Sequence, residues 1–478
     1  GVSLGLPGRE RNIFDENNFE DILSGRNFIQ SLSLEDRKKM CDKNIVRLIK
    51  ANNSDPVMET LSSPEQMIHL AGLAGSFNLE KEFGVPSEMT EAMDPSTQMA
   101  VDAGILALRD AGIPLVLYYK QTSQGGKLPL YWGLPKEMTN ETGIVFASAF
   151  SGEEAFVAEV IRYIEGKSRE EILKRLEKFW TKMPSEIKLT DAGIYFRQWI
   201  DEMKEVAPYK FHRKFIFRIL PMGNTQLAEW IKAKGPNTHV NSACASTSVA
   251  LGIASDWIRL GRCKRVIVLG ADNTTSDIMR EWVLSAFLSM GAATIEKQVE
   301  LAALPFDKRR NGLVIGMGAV GILVEHPDEV KKRGMRGISE LLGVDFRNSA
   351  FHASRLDVEH IKESMEKFIF RMEQEHKLSR NQIASEMMFM SHETYTPARG
   401  GSASAEVESL KTVFGKMADQ IVIANTKGAT GHAMAAGIEE AVMTKALQLR
   451  QVPPVANFKE VDPELGNLNL SKGGHYPI

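Results

Sequence analysis

Apolar positions along this chain fall into two rhythms. Short unbroken apolar runs predict strands covered on both faces. They are Gly143-Ile-Val-Phe-Ala-Ser-Ala149, Arg265-Val-Ile-Val-Leu-Gly270, Leu313 to Glu325, Met387 to Met390 and Gln420 to Ala424. Other stretches space their apolar residues three and four apart and predict helices. Asp94 to Ala111 sets Met99, Ala103, Leu106 and Ala107 on one face and stops at Gly112; Val358 to His376, Ala405 to Phe414 and Ile438 to Leu449 follow the same rule. Asn18 to Leu32 reads as an amphipathic helix and turn, with Phe19, Ile22, Leu23 and Phe28 around Gly25. Strands separated by helical stretches predict βαβ units, hence an α/β fold with a mostly parallel, covered sheet.

Between Ser151 and about Pro221 the pattern turns charged and helical. Ser168-x-x-Glu171 has the form of a capping box opening a helix with Ile172, Leu173, Leu176, Phe179 and Trp180. Thr190 opens a second helix through Trp199 and Met203, closed near Pro208. This segment reads as a helical cap inserted between core strands. Its basic knot, Lys210-Phe-His-Arg-Lys-Phe215, is either a dock for an acidic partner or a solvated face.

One strand-to-helix junction carries a lone cysteine. Thr238-His-Val-Asn-Ser-Ala-Cys244 is a short β run ending at small residues, and a helix with Val249, Leu251, Ile253, Ala254, Trp257 and Ile258 runs on to a stop at Gly261. A thiol at a helix N-terminus meets unpaired N–H groups and the positive end of the macrodipole. That setting favours thiolate and can hold an oxyanion. A buried structural cysteine fits the same residues. His239 lies close by, but on the strand leading into the turn it is expected to face away.

At 478 residues the chain exceeds the usual single-domain size, and 43% apolar residues suffice for a large core. A net charge of −3, with no basic stripe, argues against nucleic acid. Cys41, Cys244 and Cys263 are too few and too scattered for a disulfide framework or a zinc site, so a reducing, cytoplasmic setting is expected and no metal. No signal peptide opens the chain, and its longest uncharged apolar run, Gly312 to Val324, is too short and glycine-rich to span a bilayer; a soluble protein is expected.

Two histidines also stand at strand ends. His392 follows Met387 to Met390, and His432 ends the glycine-rich turn Asn425-Thr-Lys-Gly-Ala-Thr-Gly-His432. Ligands of open α/β sheets collect at such carboxyl ends. A thiolate can take an acyl group, and neutral imidazoles can donate to a developing oxyanion. Lys427, on the same turn as His432, can set local charge. The spacing alone leaves the ordinary readings open, satisfied hydrogen-bonding groups for the two histidines and a solvated loop lysine for Lys427.

Val240-Asn-Ser-Ala-Cys244-Ala-Ser-Thr, His392-Glu-Thr-Tyr-Thr-Pro and Lys427-Gly-Ala-Thr-Gly-His432 together resemble the β-ketoacyl synthase (ketosynthase) family, the condensing enzymes of fatty-acid and polyketide assembly. Pro305-Phe-Asp-Lys-Arg-Arg-Asn-Gly312 and Val452-Pro-Pro-Val-Ala-Asn-Phe458 resemble two further blocks, in the family's order. The resemblance runs from about Gly143 to Leu470 and more loosely before that. It implies a thiolase-like fold of two similar α/β halves in a five-layered αβαβα core, normally a homodimer. The halves would be residues 1–295, holding Cys244 and the 151–221 cap, and 296–478, holding both histidines.

The resemblance also implies roles. Cys244 would carry the acyl chain as a thioester, and a malonyl-type extender on an acyl-carrier protein would lose carbon dioxide and attack it. His392 and His432 would stabilise the enolate, Lys427 paired with Glu440 would organise the site, and Thr394 and Thr396 would contact the phosphopantetheine arm. No cofactor would be bound by the chain itself, because substrates arrive on the carrier's phosphopantetheine.

Departures from the family pattern limit the transfer. Ala398 to Ala405 lengthens the loop before Glu406, and Met317 stands where glutamate is common, which removes a structural ion pair. The cap is long for the family. No Gly/Phe loop follows before Ile478, so a domain of a larger synthase is expected. A thiolase-type enzyme would need a second active-site cysteine after Cys263, and there is none. A non-catalytic chain-length or scaffold subunit would usually lack the nucleophile that Cys244 supplies.

Overall fold

A computed structural model describes residues 1–49, 57–351, 356–396 and 401–476. Its first sheet takes β1 (Val2–Gly5), β2 (Thr142–Ala147), β3 (Asn237–Val240), β4 (Arg265–Asp272) and β5 (Gly318–Glu325) in the order β1-β5-β4-β2-β3. β4 runs parallel to β2, and β2 parallel to β3, but β5 is antiparallel to both β1 and β4. The sheet is therefore mixed, where the alternation of elements predicts mostly parallel pairing. The reason is that the chain leaves β4 at Asp272, runs through Arg280–Ser289 and a long irregular stretch, and re-enters at that same end, Gly318 opposite Asp272. Only its second half is strand. Leu313 to Met317, in the same apolar run, is buried in isolated bridges instead, including Ile315 with His432. A second sheet pairs β6 (Met388–Met390), β7 (Val422–Ala424) and β8 (Asn469–Leu470) in parallel.

Five layers follow from which face each strand residue presents. Phe146, Ile267 and Leu269 pack on α1 (Pro95–Asp110) and α4 (Gly223–Ile231). Their strand neighbours Val145, Ala147, Val266 and Val268 point the other way, onto α5 (Ser246–Arg259) and α8 (Ile438–Leu449). The far side of that central layer is Met388 and Ala424 of the second sheet. Ile423 and Leu470 then face α6 (Val358–His376) and α7 (Ser402–Phe414). A period of two in each strand thus covers both sheets twice. β5, although it lies within residues 296–478, completes the first sheet.

The cap rises between β2 and α4. It is built on α2 (Glu153–Lys182) and α3 (Asp191–Glu205). α2 is one helix of 30 residues, so Ser168 lies inside it and caps nothing. Helix formers dominate Glu153 to Ile164 and resume after Ser168, so the helix carries through Gly166, which packs against Tyr209, and the apparent capping box is overridden. Thr190 does cap α3, its Oγ1 accepting the Gly193 N–H at 3.2 Å. Lys214 of the basic knot is spent inside the molecule, on Glu91 at 3.2 Å and on the Glu88 carbonyl. Phe156, Tyr163, Phe179, Tyr195 and Trp199 stay exposed on the cap.

Beneath the site, three backbone segments cross with no side chain between them. A Cβ on Gly72 or on Gly316 would fall on the Thr430 carbonyl oxygen, and Gly431, at φ +74°, sits against Ile315. Only glycine allows this approach.

Candidate active site

Cys244 sits at the bend between β3 and α5. Ala243 is held at φ +49°, a left-handed conformation costly for a residue with a Cβ. The turn is fixed by Ser246 Oγ donating to the Ala243 carbonyl at 2.6 Å and accepting the Ser242 N–H at 2.8 Å. The strain presents the thiol in front of the first turn of α5. Cys244 Sγ lies 2.9 Å from His432 Nε2, the two residues coming from opposite halves of the chain.

His432 is placed by backbone bridging. Its N–H donates to the Val314 carbonyl at 2.8 Å, and its carbonyl accepts the Gly316 N–H at 2.9 Å. The His392 ring meets the His432 ring edge-on, centroids 5.3 Å apart at 87°. Donor atoms of Cys244, His392 and His432 all fall within 4.8 Å of one another. That is close enough for a soft metal ion to be considered, but the Sγ–Nε2 separation is a hydrogen bond, and Lys427 already supplies positive charge to the group.

Electrostatics set the protonation. Cys244 and His392 keep solvent-reachable surface while His432 is buried, yet the walls around all three are dense. Burial pushes the Cys244 thiol up, opposed by Lys427. Burial first, and Lys427 second, lower His392 to about 3 and His432 well below the usual imidazole range. At neutral pH the group is a thiol and two neutral imidazoles. Nε2 of His432 can take the thiol proton, after which that Nε2–H, together with the N–H of His392, can donate to a developing oxyanion.

The carboxylate partner of Lys427 is Glu439, not Glu440. Lys427 Nζ is 2.5 Å from Glu439 Oε1, with Thr426 Oγ1 donating to the same oxygen at 3.1 Å. α8 begins immediately after Gly437, at φ +67°, so its first-turn glutamates diverge by a helical step. Glu439 turns to Lys427, and Glu440 turns to α5, where Ser248 Oγ donates to it at 2.5 Å. Burial raises both carboxyls, but for Glu439 Lys427 outweighs it and the net direction is down.

Thr394 is buried and its N–H points to Ser402 Oγ at 3.4 Å; Thr396 is half-buried and its carbonyl accepts from Arg310 Nε at 3.2 Å. Residues 397–400 of the lengthened loop lie outside the described residues. His239 faces away from Cys244, its ring packed on Phe146 on the opposite side of the sheet. Met317, in place of an ion-pairing glutamate, is fully buried.

Sequence reasoning missed two carboxyls that hold the site. Glu406 accepts the His392 N–H at 2.6 Å and Ser391 Oγ at 2.5 Å, and burial pushes it up to about 8. Asp272 closes the carboxyl end of β4 and is completely buried. An acid ending an otherwise apolar strand was the one signal available for Asp272.

A cysteine at a bent strand–helix junction, two neutral imidazoles and a buried lysine come together on a five-layered αβαβα core of the thiolase-like fold. The chain belongs to the β-ketoacyl synthase family: residues 199–329 match its N-terminal domain and 350–459 its C-terminal domain, together just over half the chain. A 3-oxoacyl-[acyl-carrier-protein] synthase 2 of Coxiella burnetii is 27% identical over 281 residues, covering 57% of this chain and 64% of that protein. Nodulation protein E of Rhizobium sp. (strain N33) is 28% identical over 246 residues, 50% of this chain and 55% of its own length. The chain thus spans less than two thirds of either relative. A 3-oxoacyl-[acyl-carrier-protein] synthase 2 of Staphylococcus aureus (strain COL) matches at 23% over 422 residues, 87% of this chain and 84% of that one. Among solved structures, a type II polyketide-synthase ketosynthase in complex with its acyl-carrier protein (AntDE:AntF) superposes with TM-score 0.66 at 18% identity, covering all of this chain and 92% of that one. The ishigamide ketosynthase/chain length factor gives 0.64 at 18%, covering 100% and 93%. These two share the fold.

Proposed function

We propose that this protein is a β-ketoacyl-acyl-carrier-protein synthase catalysing decarboxylative condensation, acting within a polyketide or fatty-acid-type pathway. The observation that carries the reading is the Cys244 Sγ–His432 Nε2 contact of 2.9 Å beside His392 and the Lys427–Glu439 pair. His432 takes the thiol proton as Cys244 attacks an acyl thioester; the carrier thiol leaves and the acyl chain rests on Sγ. A malonyl-type extender then loses carbon dioxide, and N–H groups of His392 and His432 stabilise the enolate that attacks the Cys244 thioester. Lys427 fixes the charge of the group, and Glu440 steadies the cysteine helix through Ser248.

Thr394 and Thr396 contact the phosphopantetheine arm of an acyl-carrier protein, which is the partner in both half-reactions. The working unit is a homodimer. The chain holds no cofactor of its own, since both substrates are thioesters on carrier phosphopantetheine.

The test is intact-protein mass spectrometry after incubation with a panel of acyl-carrier thioesters, with Cys244→Ala in parallel. An adduct lost in the variant, then discharged into a β-keto product by malonyl-carrier, is the expected result. A folded full-length protein that no thioester loads overturns the reading in favour of a scaffold or chain-length subunit.

A further inference from the structure

We propose that Asp272 is a positioning residue: its carboxylate ties the base of the cap to the turn behind His432 and so sets the contact between His432 and Cys244. The inference rests on the reading of that contact as the reacting pair. Asp272 stands at the end of β4, where the two halves of the chain meet. Its Oδ1 accepts Ser148 Oγ at 2.7 Å and the N–H groups of Ala149 and Phe150 at 3.0 and 2.9 Å. These three residues lead from β2 into the cap. Its Oδ2 accepts the Ala435 N–H at 2.8 Å, three residues beyond His432. The Ala435 carbonyl in turn accepts Thr247 Oγ1 of the cysteine helix at 2.6 Å. The turn behind His432 is therefore gripped from both sides, by the cap base through Asp272 and by α5 through Thr247.

Four donors converge on a carboxylate that can satisfy them only while it is ionised. Protonation at Oδ2, the less loaded oxygen, would aim an O–H at the Ala435 N–H and release that side of the grip. Burial pushes Asp272 up to about 6, so the loss falls within reach of an ordinary pH titration. The surrounding titratable groups are distinguishable from it. Glu154 on the cap, pushed up to about 7, bonds to Asn273; Asp94 of the α1 cap bonds to Ser151; His239 packs on β2; Cys244, His392, His432 and Lys427 with Glu439 lie on the reacting side.

The readout is the rate at which iodoacetamide alkylates Cys244 between pH 5 and 8, followed by peptide mass, which needs no acyl substrate. In the wild type the rate should show, beneath the thiolate dependence, an additional fall below about pH 6. Asp272→Asn removes a charge that raises the Cys244 thiol, which by itself would speed alkylation, so a rate about tenfold lower, with the extra limb gone, reports the lost grip and the misplaced thiol. Ser148→Ala removes one donor from the ionised form and should move the limb to higher pH. Glu154→Gln should leave it in place. Asp272→Asn that folds and alkylates with the wild-type profile overturns the proposal. If that variant does not fold, an unmoved limb in Ser148→Ala does so. Acyl loading is measured on the same samples: a limb that moves as expected in a protein no thioester loads keeps the clamp and discards the condensing reading, and the reverse pattern does the opposite.

Discussion

Replacing Lys427 by Met tests the electrostatic centre of the site. Lys427 and Glu439 are 2.5 Å apart, and the lysine side chain is only 3% exposed. Taking the ammonium away strands a buried carboxylate, which costs about 3–5 kcal/mol. With about 2.1 cal/mol/K of unfolding entropy per residue, a chain of 478 residues unfolds with about 1 kcal/mol/K, so Tm should drop by about 3–5 °C. Neutralising both partners, Lys427→Met with Glu439→Gln, should recover most of the loss. The double-mutant cycle should give a coupling of about 2 kcal/mol or more for Glu439, and at least about 1 kcal/mol less for Glu440. The pair should also govern pH behaviour. Lys427 is the second cause, after burial, of the low His392 value of about 3, so its removal lets the imidazole titrate higher and should shift the acid limb of the proposed condensation upward. Urea unfolding of the three single and two double variants, with a pH–rate profile, reads both effects. An undiminished stability in Lys427→Met, or a larger coupling to Glu440, would refute the reasoning.

Three further outcomes are expected. Glu406 has its folded value raised to about 8 from an ordinary 4.5, so it binds its proton more tightly folded than unfolded, and stability falls by about 1.4 kcal/mol per pH unit as pH rises between those values. Glu406→Gln should remove that share of the slope in unfolding free energies measured from pH 5 to 8; an unchanged slope contradicts it. Asp102, buried in α1 with neither carboxylate oxygen paired, is pushed up to about 8, chiefly by burial. Asp102→Leu should therefore stabilise by about 1–3 kcal/mol, with a gain that grows from pH 5 to pH 8, as calorimetry can show. Tyr395→Phe leaves the Val314 N–H without the phenol oxygen it reaches at 3.3 Å, and should cost about 1–3 kcal/mol in urea unfolding.

Much of this architecture was legible because burial writes itself into composition. The strands at Gly143 and Arg265 are covered on both faces and read as unbroken apolar runs, and α1 announces itself with Asp94, Pro95 and a stop at Gly112. Direction is not written there, since an antiparallel β5 uses the same residues a parallel strand would. The Ser168 box misled because a capping sequence is permissive rather than compelling inside a strong helix. At the site, Cys244, His392 and His432 carry motifs, and the structure brings all three together. The choice between Glu439 and Glu440 depends on where α8 starts, which Gly437 decides through one backbone angle. Asp272 and Glu406 act through bonds to backbone N–H groups that no spacing rule encodes.

The crossing of Gly72, Gly316 and Gly431 under Thr430 has a consequence for how this chain can vary. A floor made of bare backbone offers nothing to substitute: any replacement there forces main chains apart and carries His432 with them. Tolerated variation is thereby steered elsewhere, as to the cap, whose exposed aromatic rings can be exchanged singly without moving these main chains. Randomised libraries should accordingly yield folded proteins at the exposed aromatic positions from Phe156 to Trp199 and almost none at the three glycines.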